Sequence, residues 1–297
     1  MKIIITGPSG FIGQHLIKSL SGVHELIGIS RQTERIEGLN AQYTWDKMSN
    51  IPQADWCIHL AGLAHDLSGK FSDQDYVDQN YDLTRKLISS IEGKCEKLIY
   101  FSSIKAICDQ NCLDLDESSP YKPLSPYGLS KQMAEEYIVS QGKKDSLKSY
   151  IFRPVMVYGD GSKGNLNSLV KMVKKGIPYP FKKHQNKKSI LYIKNLTHIV
   201  DHFISHSPAP GIYHLADEDK VSTVKMVELI STALDKKQKT FSLPGFIYRS
   251  AMKSTGRIGQ ILKKLLSNLS VNNNKLLKVL AKNPMPYSSE NAFKDFL

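Results

Sequence analysis

Lys2-Ile3-Ile4-Ile5-Thr6-Gly7-Pro8-Ser9-Gly10-Phe11-Ile12-Gly13 is the stretch that decides the fold. Lys2–Thr6 is a short, β-branched apolar run, the pattern of a parallel strand buried on both faces. It runs directly into Gly7, Gly10 and Gly13, spaced Gly-x-x-Gly-x-x-Gly, and a helical segment follows from about Gln14 to Leu20. A strand, a tight glycine turn and a helix start make an anion site. Glycine lets the backbone approach a pyrophosphate, and the first helical turn offers unpaired N–H groups and a partial positive charge. A purely structural turn is the alternative reading; the position between a strand and a helix argues against it.

The same alternation continues along the chain. Glu25–Ser30 reads as the second strand, and Asp55–His59 as a central strand whose turn contains Leu60, Ala61 and Gly62. Tyr76–Glu92 reads as a long helix, Leu98–Ser103 as a strand ending in two hydroxyls, and Ser149–Val157 as another strand. Strand–helix alternation of this kind predicts an α/β protein with a Rossmann-type, doubly wound parallel sheet. The expected division is a dinucleotide-binding domain over 1–158, with returning strands near 189–216 (Ile190–Ile193 and Ile212–Leu215), and a smaller C-terminal substrate-binding domain over 159–188 and 217–297. A dinucleotide fold that takes NAD places an acid about 20 residues past the glycines to hold the ribose 2′-hydroxyl. Here Ser30 and Arg31 stand there, and they accept a 2′-phosphate that an acid would repel. NADP(H) is therefore expected over NAD(H), the bland alternative being that Arg31 is a surface loop residue. Asp46 is placed to meet the adenine amine, and His65 either faces the site or is simply solvated.

The 297 residues carry a net charge of +12. The lysines are spread along the chain and not interleaved with aromatics, and no nucleic-acid motif is present. A phosphate-rich ligand together with a solvated basic surface accounts for the charge. Cys57, Cys95, Cys108 and Cys112 lack the spacing of a metal or secreted disulfide framework, so reduced thiols and no metal are expected. No apolar run approaches the ~20 residues that span a bilayer, and the start of the chain does not read as a signal peptide. The expected location is the cytoplasm. The basic tail, Phe246–Leu280, reads as part of a small cap domain, with at most peripheral contact at the inner face of a membrane.

In Ser125-Pro126-Tyr127-Gly128-Leu129-Ser130-Lys131, helical spacing stacks the Tyr127 phenol one turn from the Lys131 ammonium. A nearby ammonium favours the phenolate, which predicts a lowered Tyr127 pKa. Taken alone this pair is an ordinary helix start. Taken with the glycine turn, His59-Leu60-Ala61, Ser102-Ser103 and Arg153-Pro154-x-x-Val157-Tyr158-Gly159, the chain resembles an extended short-chain dehydrogenase/reductase of the nucleotide-sugar epimerase and dehydratase type. Ser102–Lys105, Lys163-Gly164-Asn165 and Lys188–Ile193 resemble its UDP-glucose 4-epimerase-like branch in bacterial polysaccharide synthesis.

The resemblance implies a cytoplasmic homodimer acting on a UDP-sugar, paired through helices 76–92 and 127–140. It implies Tyr127 as acid–base residue, Lys131 as the group that holds the nicotinamide ribose and lowers the Tyr127 pKa, and Ser103 as hydrogen-bond partner of the reacting oxygen. It further implies Asn80 as a structural asparagine; Gly7, Gly10, Phe11, Ile12, Gly13, Leu60, Ala61 and Pro154 at the cofactor; and Asn165 and Lys188 at the diphosphate. Two departures stand out: lysine replaces the more usual arginine at 188, and Lys105-Ala106-Ile107-Cys108 replaces the usual Val-Tyr-Gly. Three activities follow as alternatives. They are reduction of a UDP-4-keto-6-deoxy-N-acetylhexosamine, C4 epimerisation of a UDP- or polyprenyl-diphosphate-linked sugar with retained NAD, and non-catalytic NADP binding. Dehydration needs an Asp-Glu pair where Ile104-Lys105 stands.

Overall fold

The computed structural model describes residues 1–64, 70–142, 147–162, 164, 166–244 and 257–297. Its centre is a seven-stranded parallel sheet. The strands are β1 (Lys2–Thr6), β2 (Glu25–Ser30), β3 (Ala41–Thr44), β4 (Ala54–His59), β5 (Cys95–Phe101), β7 (Lys148–Pro154) and β10 (Gly211–Leu215), in the order β10-β7-β5-β4-β1-β2-β3. β1 lies between β2 and β4, with Thr6 opposite both Ile29 and His59. The strand order reverses there, and a doubly wound sheet opens its ligand crevice at that point, outside the carboxyl ends of its strands. Ile3, Ile4, Ile5, Leu26, Ile27, Trp56, Ile58, Leu98 and Ile99 are fully buried, as the apolar runs require for a sheet covered on both faces.

Helix α1 (Phe11–Leu20) begins three residues earlier than the sequence suggests and packs beside α6 (Ile193–His206). The expected helix 76–92 is broken into α2 (Asp73–Tyr76), a π turn (Val77–Asp82) and α3 (Leu83–Ile91). The π turn carries Asn80, and such turns recur where a helix must re-aim a side chain. Helix α4 (Pro126–Gln141) follows the Asp109–Pro126 segment, which contains an unexpected strand, β6 (Cys112–Leu115).

A second, five-stranded sheet is ordered β11-β9-β12-β6, with β8 (Met156–Tyr158) paired to β9. Here β9 is Lys188–Tyr192, β11 is Lys220–Val221 and β12 is Leu269–Val271. The strand expected at Ile190–Ile193 therefore does not return to the first sheet; only Gly211–Leu215 does. Pro154 ends β7 because it brings no N–H to a ladder, and the chain leaves the first sheet to align Met156–Tyr158 with Ile190–Tyr192. Around the second sheet pack α5 (Leu166–Lys174), α7 (Thr223–Ala233), α8 (Arg257–Leu266) and α10 (Ser289–Phe296), whereas α9 (Asn274–Val279), which precedes α10, lies against β10 of the first sheet. The tail thus ends in a helix where sequence suggested irregular chain. Among the described residues no helix is long and apolar enough to cross a membrane.

Cys108 and Cys112 are joined in a disulfide, which corrects the expectation of four reduced thiols; Cys57 and Cys95 are free and buried. Asn111, in the left-handed region at φ 59°, turns the chain back between the two bonded cysteines.

Candidate active site

The glycine turn is built by close backbone approach. Gly7 (φ +68°) donates its N–H to the Ile29 carbonyl at 3.1 Å, and a Cβ on it would sit 2.9 Å from the Ala61 nitrogen. A Cβ on Gly13 would lie 2.5 Å from the Gly7 oxygen and 2.8 Å from the Pro8 oxygen. Gly10 is the N-cap of α1 and supplies no side-chain acceptor, so the first helical N–H groups remain for a ligand. The turn forms one wall of a cleft of about 380 Å³ that reaches Ser30, Arg31, Trp45, Leu60 and Ala61. An open backbone cradle, uncapped helical amides and a rim cation fit the pyrophosphate and ribose of a nicotinamide dinucleotide.

Sequence expectations are met unevenly around this cleft. Ser30 is buried, and its hydroxyl donates to the Gln32 carbonyl at 2.7 Å while accepting from the Gln32 N–H at 3.0 Å. Arg31 is exposed at the rim. Asp46 is exposed and does not line the cleft; its neighbour Trp45 does. A hydrogen bond from Thr44 holds the Asp46 carboxyl below its usual range. Phe11 and Ile12 face the apolar cluster around the second sheet, where Phe11 stacks edge-on to His15. Pro154 is buried at the carboxyl end of β7, opposite Leu215. His65 and Asn165 lie outside the described residues.

A buried hydrogen-bond chain joins the glycine turn to α4. Thr6 Oγ1 accepts from the Leu60 and Ala61 N–H groups at 3.1 and 3.0 Å and pairs with His59 Nδ1 at 2.7 Å. His59 Nε2 pairs with Thr84 Oγ1 at 2.9 Å, and the Thr84 hydroxyl donates to the Asn80 carbonyl at 2.6 Å. Asn80 Nδ2 then donates to Ser130 Oγ at 2.9 Å, and Ser130 donates to the Tyr127 carbonyl at 2.9 Å. The directions fix the tautomer: Thr6 must use its proton on Nδ1, and Nε2 must carry the ring hydrogen. Burial holds the His59 pKa down to about 3, so the ring is neutral. Sequence reading placed Asn80 here and missed Thr6, whose hydroxyl is hidden inside an apolar run.

Tyr127 and Lys131 are positioned by α4. Ser125 caps the helix by accepting from the Gly128 N–H at 3.1 Å. Asp109 supports the cap: it accepts from the Ser125 hydroxyl at 2.7 Å and from the Leu124 and Ser125 N–H groups at 2.7 and 3.1 Å. Tyr127 is hydrogen-bonded to Ser103 and stands edge-on to Tyr76, with ring centroids 6.1 Å apart. Lys131 is 5% exposed; its Nζ donates to the Phe101 carbonyl at 2.9 Å and lies 4.9 Å from the Tyr100 ring centre. Burial pushes the Tyr127 pKa up to about 12 against the Ser103 hydrogen bond, and lowers that of Lys131 to about 8. The expected lowering of the phenol by Lys131 is therefore corrected: desolvation dominates, and the ammonium is directed at Phe101 and Tyr100. The fold brings Ser103 to Tyr127, one helical turn from Lys131.

Lys188 opens β9, and its Nζ donates to the Lys264 carbonyl at 2.8 Å; burial lowers its pKa to about 8. Among the described residues no group of His, Cys, Asp or Glu is arranged to hold a metal ion.

A UDP-glucose 4-epimerase from Vibrio cholerae is 30% identical, over 99% of this chain and 93% of that protein. A UDP-2-acetamido-2,6-beta-L-arabino-hexul-4-ose reductase from Pseudomonas aeruginosa is 29% identical, over 57% of this chain and 39% of that protein. The crystal structure of human epimerase family protein SDR39U1 (isoform 2) with NADPH covers 100% of this chain and 99% of its own, with a TM-score of 0.79 at 18% identity. Residues 3–216 match the model of one family, and the chain belongs to it: the NAD dependent epimerase/dehydratase family.

Proposed function

We propose that this protein is an NADP(H)-preferring oxidoreductase that reduces the 4-keto group of a UDP-4-keto-6-deoxy-N-acetylhexosamine, in the cytoplasmic synthesis of O-antigen or capsule precursors. The observation that carries the reading is the meeting of Ser103 and Tyr127 beside Lys131, linked through buried hydrogen bonds to the glycine cleft. A bound nicotinamide supplies the hydride. Ser103 and Tyr127 both address the sugar's O4: Ser103 donates a hydrogen bond, and Tyr127 delivers the proton that the forming alkoxide needs. Lys131 holds the ribose and returns positive charge to the phenolate left behind. Lys188 and Asn165 hold the diphosphate. The first sheet carries the cofactor, and the segments 159–188 and 217–297 close over the sugar. Two copies pair through the helices 76–92 and 127–140, and on the second of these Leu129 and Val139 are exposed apolar residues that such a contact would cover.

Ser30 and Arg31, in place of an acid, favour a reductase, which must exchange a phosphorylated cofactor each cycle. The second reading is a C4 epimerase with retained NAD, on a UDP or polyprenyl carrier; the 30% identity to the Vibrio cholerae enzyme favours it. Incubation with UDP-2-acetamido-2,6-dideoxy-4-keto-hexose and NADPH or NADH decides between them. Loss of reduced-nicotinamide absorbance, faster with NADPH, is expected; no oxidation rejects the reductase. Tyr127→Phe should lower turnover at least ~100-fold, the usual weight of a lost general acid, and leave NADPH binding intact. Unchanged biological activity in that variant indicates a binding protein instead.

A further inference from the structure

Glu135 lies one helical turn beyond Lys131 and two beyond Tyr127, and it is fully buried. A carboxylate so far from water is costly unless both oxygens are paired. Here both are. Arg153 Nε donates to Oε1 at 3.0 Å and Oε2 at 3.1 Å, and Arg153 Nη2 donates to Oε2 at 2.6 Å. The Ser102 hydroxyl donates to Oε1, and the Tyr121 hydroxyl donates to Oε2 at 2.8 Å. The Arg153 guanidinium also lies 5.1 Å from the Tyr121 ring centre.

Each partner adjoins a working part of the site. Ser102 precedes Ser103, Arg153 precedes Pro154, and Tyr121 belongs to the segment that leads into the Ser125 cap. We propose that Glu135 is a positioning residue: its carboxylate locks Ser103, the Tyr127–Lys131 face of α4 and the end of β7 into one geometry and keeps Lys131 an ammonium. This rests on the reading of Ser103, Tyr127 and Lys131 as the reacting groups.

The charges around Lys131 agree with that role. β5 presents the Phe101 carbonyl and the Tyr100 ring, and β4 presents neutral His59, which itself feels the Lys131 charge. α4 presents Tyr127 and Glu135, and β7 brings the Arg153 cation against Glu135. Burial pulls the proton off Lys131, and the Glu135 carboxylate opposes that pull. Without the carboxylate, two buried cations face one another's field with no anion between them.

Glu135→Gln keeps the shape and removes the charge. We expect the alkaline limb of kcat to move to lower pH by about one unit, with kcat down about twofold at neutral pH and about tenfold well above the limb, and the sugar KM little changed. NADPH binding, followed by nicotinamide fluorescence from neutral to alkaline pH, should show the same displaced limb. That second readout needs no sugar, so it decides the proposal even where the sugar assignment fails. A limb that stays in place, whether kcat is unchanged or falls equally at every pH, overturns the proposal. Should Glu135→Gln not fold, the pair Ser102→Ala/Tyr121→Phe removes two donors and keeps the charge. It should lower kcat severalfold with the limb in place, and wild-type kcat in that pair overturns the positioning role.

Discussion

Replacing Arg31 by alanine tests the cofactor reading most directly. Ser30 already uses its hydroxyl twice within the turn, toward the Gln32 carbonyl and from the Gln32 N–H. Discrimination for a 2′-phosphate therefore falls mainly to Arg31, which is exposed at the cleft rim. A charge-assisted contact is worth about 1.5–3 kcal/mol in a protected site, and exposure reduces it to about 0.2–1 kcal/mol. Arg31→Ala should then weaken NADPH binding by up to about fivefold and leave NADH binding nearly unchanged. Ser30→Asp should act more strongly. Its carboxylate can accept from the Gln32 N–H and from Gln42 Nε2, which now lies 3.4 Å from the Ser30 hydroxyl, and it would face the 2′-phosphate in a cleft of reduced dielectric. A like-charge contact there costs at least ~2 kcal/mol, or about thirtyfold. Nicotinamide fluorescence titrations at low and high salt provide the assay, and the Arg31 effect should shrink as salt screens it. Equal loss of NADPH and NADH binding in Arg31→Ala, or tighter NADH than NADPH binding in the parent, would refute the reasoning.

Gly13→Ala should lower the melting temperature by several degrees and weaken NADPH binding. Its Cβ meets backbone oxygens at 2.5 and 2.8 Å, and such overpacking costs about 1–3 kcal/mol; a melt and affinity equal to the parent's would count against the close-approach argument. Asp217 predicts a pH dependence of stability. Burial lifts its carboxyl to about 7, against hydrogen bonds from Asn195 and the Tyr192 N–H. A folded value above the unfolded one means that the native state holds the extra proton between about pH 4 and about pH 7, so this group's stabilisation is lost as pH rises through that window. Urea midpoints measured across it should fall toward neutral pH in the parent and less steeply in Asp217→Asn; parallel curves rule the assignment out.

The legible parts of this chain are those written in local pattern. Lys2–Thr6, the glycines after it and Glu25–Ser30 announce a strand, a turn and a second strand, because burial on both faces demands an unbroken apolar run. Partner choice is not local. Ile190–Tyr192 is as apolar as any strand of the first sheet, and its run says nothing about which sheet it joins; the break at Pro154 decides that. Cys112–Leu115 and Leu269–Val271 are too short and too polar to register as strands until they pair with each other. In the site, Tyr127 and Lys131 are readable from one helix face. Thr6, Trp45 and Glu135 are not, since each matters through a neighbour distant in sequence: Ala61 for Thr6, the cleft floor for Trp45, Arg153 for Glu135.

The buried chain from Thr6 to Ser130 has a consequence for how the site responds to pH. Every link in it is neutral: hydroxyls, an amide and a histidine whose burial keeps it unprotonated far below physiological pH. Protonating His59 would require Nδ1 to donate toward Thr6, which already accepts from two N–H groups, and would set a second cation near Lys131. The chain therefore fixes the distance between the glycine cleft and α4 without titrating in the working range. On α4 the groups poised to change charge near neutral or alkaline pH are Lys131 and, above it, Tyr127; Lys188, on β9, is brought down to about 8 as well. Holding the link between the glycine cleft and α4 neutral is what allows a single buried carboxylate, Glu135, to set where the Lys131 limb falls.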